Sequence, residues 1–127
     1  MKLVPEKYLD LMADETKAMA FLATRMADGS PQVTPVWFNT DGETLWVNSA
    51  TGRVKDRNMR KRPQVAVTIM AMEDAYRYVQ IRGEVVEITE EGADEHINVL
   101  SMKYHGRPFN IPAGETRVIY KIKPYRT

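Results

Sequence analysis

The chain has 127 residues, 43% of them hydrophobic and 28% charged, with a formal net charge of +1 and no cysteine. That length holds one domain, residues 1–127, with one core. The near-neutral balance gives no support to a general nucleic-acid or membrane-surface binder, and the lack of cysteine excludes disulfides, thiolate metal sites and cysteine nucleophiles.

No long apolar run is present and Met1–Asp10 lacks the apolar centre of a signal peptide, so the expected location is the cytoplasm. Pro5–Ala13 reads as a short helix with Tyr8, Leu9 and Met12 on one face. Met19–Met26 and Gln32–Phe38 read as two strands of a hairpin turning at Asp28-Gly29-Ser30. Asp41-Gly42 supplies the next turn, and Glu43–Ser49 is a third strand. Arg53–Lys61 has no β-branched residue after Val54 and is stopped by Pro63, which predicts a short helix. Gln64–Ala71 is a fourth strand, and Tyr76–Thr89 a long fifth strand bent near Gly83. Glu90–Tyr104 is a helix, Gly106–Gly114 a loop with two prolines, and Thr116–Lys123 the last strand. Six strands with few helices predict a mainly β fold, a small antiparallel barrel whose closure removes exposed edges.

The segment Ser49–Arg62 is the most informative. Arg53, Lys55, Arg57, Arg60, Lys61 and Arg62 lie in it, opposed only by Asp56. Acidic residues gather instead at Glu84–Glu95, so the neutral total hides a strong local asymmetry. A strand ends at Ser49, a small-residue turn follows and a helix opens. Unpaired N–H groups at a helix start suit phosphate. Ser49 and Thr51 offer hydroxyls, Gly52 permits close backbone approach, and Arg53 and Lys55 fall near the helix start. On spacing alone the segment reads equally well as a solvated basic helix, a reading that Arg60, Lys61 and Arg62 fit better, since cations favour a helix C-terminus.

Trp37, Trp46, Tyr76 and Tyr78 are able to line a planar ligand, although each taken singly reads first as core. Met59, beside Asn58, is the one methionine near the basic turn. His96 and His105 are too few for a metal site, and no nucleophile motif, Gly-x-Gly-x-x-Gly or Walker loop occurs. No catalytic side chain is assigned; an enzyme of this composition leaves the chemistry to a cofactor.

Three stretches, Gln32-Val-Thr-Pro-Val-Trp-Phe38, Arg53-Val-Lys-Asp-Arg-Asn-Met59 with Pro63, and Tyr78-Val-Gln-Ile-Arg-Gly83, resemble the pyridoxamine 5′-phosphate oxidase-like split-barrel family. Within it the chain looks most like the small reductases that use the deazaflavin coenzyme F420. The resemblance runs from about Leu9 to Tyr120. It implies a six-stranded split β-barrel that pairs as a homodimer, with two cofactors in grooves at the subunit interface. It also implies an oxidoreductase that passes hydride from reduced coenzyme F420 to a small conjugated or heteroaromatic acceptor. FMN, in an oxidoreductase or a flavin carrier of the same fold, is the alternative, and a non-enzymatic nucleic-acid-binding barrel is a third. By the same resemblance Lys55 and Asn58 contact the phosphate, with Arg53, Arg57, Met59, Ser49 and Thr51 close by. Pro35, Val36 and Trp37 run beside the ring, and Tyr78 reaches it from the other subunit. Arg62 stands where relatives often carry Asp or Asn, extending the basic patch toward a longer anionic tail.

Overall fold

The computed structural model describes all residues from Met1 to Thr127. It begins with two 3-10 segments, Glu6–Met12 and Asp14–Thr16, and continues with seven strands and two α-helices. The strands are β1 (Met19–Arg25), β2 (Pro31–Val36), β3 (Phe38–Thr40), β4 (Leu45–Ala50), β5 (Gln64–Ala71), β6 (Asp74–Thr89) and β7 (Arg117–Arg126). The helices are α1 (Val54–Lys61) between β4 and β5, and α2 (Ala93–His105) between β6 and β7. All pairings are antiparallel, in the order β2-β1-β5-β6-β7-β4-β3. No helix is long and apolar enough to cross a membrane.

The expected strand Gln32–Phe38 is broken at Trp37, and this corrects the strand count from six to seven. Its first part, β2, pairs with β1, and its second, β3, pairs with β4. The two ends of the sheet are therefore two halves of one chain segment, and they meet at a single residue. That is a split barrel, and the physical reason for the extra strand is the change of partner at Trp37. Val36, Phe38, Leu22, Val47, Ile69, Ile81, Tyr120 and Ile122 contribute to its buried core.

The break frees backbone groups, which must find other partners. Residues of α2 supply them. The Tyr104 hydroxyl donates to the Ala18 carbonyl at 2.7 Å and accepts from the Phe38 amide at 3.4 Å. The Lys103 ammonium donates to the Phe38 carbonyl at 2.7 Å. The Trp37 ring stacks on Tyr104 at 5.5 Å between centroids.

Other boundaries shift for local reasons. The N-terminal helix is 3-10 rather than α, with Tyr8 N–H bonded to Pro5 and Ala13 N–H to Asp10. It buries Leu11 and Met12 and leaves Leu9 exposed. The Asp41 carboxylate accepts from the Glu43 and Thr44 amides, so β4 starts only at Leu45. Gly92, with φ of 77°, delays α2 to Ala93. The register of β6 against β7 shifts between Arg82 and Gly83 and again between Val85 and Glu87. A Cβ on Gly83 would lie 2.7 Å from Ile122 Cγ2 and 2.9 Å from the Lys123 carbonyl oxygen, so β7 approaches too closely for any other residue.

Candidate functional site

One cleft of about 340 Å³ opens where the barrel splits. Pro35, Val36 and Trp37 form one wall, and Met19, Ile97 and Phe109 add apolar surface. Asn48 and Ser49 of β4, Arg53 and Lys55 at the start of α1, and Arg117 of β7 form the polar side. An apolar wall facing a few convergent polar groups is the ordinary form of a small-molecule site.

The position of α1 is set by one buried carboxylate. Asp56 accepts from the Gly52 amide at 2.9 Å, from the Tyr120 hydroxyl at 2.5 Å and from Arg60 Nε at 2.9 Å. Burial opposes its charge, and these three donors outweigh it, holding the carboxyl below the ordinary range. The helix start is thereby pinned to the core strand β7, with Arg53 and Lys55 at the rim of the cleft.

Positive charge is concentrated there. Lys55 is pushed below the ordinary lysine range, first by burial and then by Arg53 and Arg117, and no carboxylate offsets the shift. Glu115 is the acid that pairs within the group, with Arg53 at 3.4 Å and with Arg117. Ser49 is 1% exposed, lines the cleft, and its hydroxyl has no protein partner. A buried hydroxyl without a partner carries a desolvation cost that a ligand acceptor or donor would relieve. Three cations, one acid and an orphaned hydroxyl suit a phosphate or carboxylate.

Of the residues singled out in the sequence, the cleft brings together Pro35, Val36, Trp37, Ser49, Arg53 and Lys55. The others lie elsewhere in this chain. Asn58 is turned inward: its amide nitrogen donates to Thr24 Oγ1 at 3.0 Å and its oxygen accepts from Arg62 at 3.2 Å. Met59 belongs to the core. Arg57 is exposed and donates to the Gly52 carbonyl. Thr51 is exposed in the turn, held by its amide to the Thr116 carbonyl. Tyr78 is on β6 opposite Met70, 43% exposed and outside the cleft lining. Arg62 Nε donates to the Arg25 carbonyl, tying α1 to β1.

Sequence reasoning missed Met19, Asn48, Ile97, Phe109 and Arg117. Phe109 lies in the Gly106–Gly114 loop, edge-on to Trp37 and 5.2 Å from the Arg117 guanidinium carbon.

The chain matches the family profile of pyridoxamine 5′-phosphate oxidase over residues 5–127. It belongs to that family. Among solved structures it is similar to one described as an F420 reductase, with 35% identity, 96% of each chain covered and a TM-score of 0.84. A Listeria innocua protein assigned provisionally as a pyridoxamine 5′-phosphate oxidase is 23% identical, with 95% and 93% of the two chains covered and a TM-score of 0.71. A conserved hypothetical protein of Mycobacterium tuberculosis is 22% identical over 97% and 82%, with a TM-score of 0.70. The last two show a shared fold. No curated protein matches the chain. Family membership gives the split at Trp37 its context: the apolar wall and the cationic rim flank the place where the barrel of this fold opens.

Proposed function

We propose that this family member is an oxidoreductase that binds reduced coenzyme F420 and passes hydride to a small conjugated or heteroaromatic acceptor. The observation that carries the reading is the cleft itself. The Pro35–Trp37 wall faces Arg53, Lys55, Arg117 and the unpartnered Ser49 hydroxyl, which fits a flat ring joined to a phosphate. The 35% identity to a protein described as an F420 reductase favours the deazaflavin.

The bound cofactor supplies the hydride chemistry. The chain's own residues orient and shield. Lys55 and Arg53 neutralise the phosphate, and Trp37, braced by Tyr104, offers an apolar surface to the ring. Side chains placed in this way contribute by alignment rather than by acid–base chemistry.

The cleft is open and holds only part of such a ligand, so the proposed assembly is a homodimer in which a second copy covers the ring, with Tyr78 reaching across. Asn58, Thr51, Arg57 and Met59 then act in support of the α1 start. The proposed location is the cytoplasm. FMN binding in the same cleft is the second reading, supported by the match to the pyridoxamine 5′-phosphate oxidase family over residues 5–127, since that split-barrel family includes FMN-binding members.

Titration of the purified protein with coenzyme F420, FMN and a single-stranded oligonucleotide separates these readings. F420 binding that weakens about tenfold to a hundredfold in Lys55→Ala is expected, the loss of one charged hydrogen bond. Tight FMN binding with no F420 binding transfers the proposal to the second reading. Oligonucleotide binding with neither cofactor sinks both.

A further inference from the structure

A run of buried polar side chains passes beneath α2 and ends in the cleft. Arg117 Nε donates to Asn48 Oδ1 at 2.9 Å. Asn48 Nδ2 donates to the Ala93 carbonyl at 2.9 Å and lies 3.1 Å from His96 Nδ1. His96 Nε2 lies 2.8 Å from Asn39 Oδ1. Asn48 and His96 are 8% and 5% exposed.

Chemistry fixes the direction of every bond in the run. A guanidinium only donates, so the Asn48 oxygen must face Arg117. The Asn48 NH₂ group then faces Ala93 and His96, so His96 Nδ1 must be a bare acceptor. Its proton sits on Nε2 and goes to Asn39. The imidazole is neutral in this arrangement; burial, Arg117 and Lys121 all disfavour a second proton. A simple tether between α2 and β4 is already provided by the Asn48–Ala93 bond. The bond to Arg117 adds something else: it fixes the guanidinium through Nε. Asn48 and Glu115 are its only hydrogen-bond acceptors, and Arg117 forms part of the cleft lining beside Arg53 and Lys55.

We propose that His96, acting through Asn48, is a positioning residue that sets the Arg117 guanidinium to bind a phosphate oxygen in the cleft. The inference rests on the anion-site half of the functional reading and extends it to residues on β4, α2 and β7.

Two measurements test it. The first is made without ligand: the Arg117 Nε–H resonance in ¹⁵N-labelled protein is expected to be protected in the wild type and lost in His96→Phe. His96→Gln, whose amide keeps one acceptor and one donor, is expected to restore it. The second is the affinity for inorganic phosphate, followed by amide shifts. His96→Phe is expected to weaken it about fivefold in the wild-type background and not at all in an Arg117→Met background, a double-mutant coupling. If His96→Phe does not fold, Asn48→Leu takes its place in both measurements. An Nε–H signal that survives His96→Phe overturns the proposal, as does the same phosphate loss with and without Arg117. Wild-type protein that binds a cofactor but no phosphate also overturns it, while leaving the proposed ring site standing. Phosphate coupling without cofactor binding does the reverse.

Discussion

The Tyr120 hydroxyl donates a 2.5 Å hydrogen bond to the Asp56 carboxylate, which lies 64 residues earlier in the chain. Tyr120 is wholly buried on β7 and Asp56 is on the first turn of α1. This one contact couples the barrel core to the helix that carries the cationic rim. Tyr120→Phe leaves Asp56 with two donors in a buried site. A loss of about 1–3 kcal/mol in urea unfolding is expected, together with weaker anion binding because the α1 start loosens. Unchanged stability would mean that Asp56 is held by Gly52 and Arg60 alone.

The neutral state of His96 makes stability depend on pH. Its pKa is lowered to about 4 by burial, then by Arg117 and Lys121. The unfolded chain therefore binds a proton first as pH falls. Stability from this group is complete above about pH 6.5 and declines as pH drops toward 4, by roughly 2–3 kcal/mol. Urea midpoints measured across that window should show the slope, and His96→Gln should flatten it. Asp41, held down to about 2 by the Thr44 and Glu43 amides against its own burial, acts in a separate window. Its contribution is present above about pH 4 and is lost as pH falls toward 2.

Lys55 owes part of its lowered pKa to neighbouring cations, after burial. Replacing Arg53 with Ala should raise it, and inorganic phosphate should raise it further in the wild type. The Lys55 side-chain resonance followed against pH reads both changes. If phosphate leaves it where it was, Lys55 does not face the anion.

Gly83→Ala puts a Cβ against Ile122 Cγ2 and the Lys123 carbonyl, and the latter is backbone that cannot swing aside. A destabilisation of about 1–3 kcal/mol is expected from overpacking, read as a lower thermal midpoint. An unchanged midpoint would show that β6 and β7 separate freely at the register shift.

Much of this fold is legible locally. Asp28-Gly29-Ser30 announces its turn, and the Asp28 carboxylate does bond both the Ser30 amide and hydroxyl. The alternation of Val65, Val67 and Ile69 marks a strand face, and all three are buried. The break at Trp37 is invisible because nothing in Pro-Val-Trp-Phe changes the alternation; only the pairing partner changes, and partners are not local information. Arg117 was hidden for a similar reason. Alternation along β7 places Arg117 and Lys121 on the outer face, where solvent is the default. Yet Arg117–Tyr120 are all buried, because α2 covers that outer face. Asn58 misleads in the other direction. Helical spacing sets it three residues after Lys55, but it faces Thr24 beneath the helix while Lys55 stays at the rim.

The seam at Trp37 has a thermodynamic corollary. The same residue joins the two edges of the sheet, stacks on Tyr104 and walls the cleft. A molecule that settles against Trp37 therefore holds the sheet shut, and its binding energy adds to that of barrel closure. Saturating ligand should slow amide hydrogen exchange most along Phe38–Thr40, the short arm that swings away when the ring of strands comes undone.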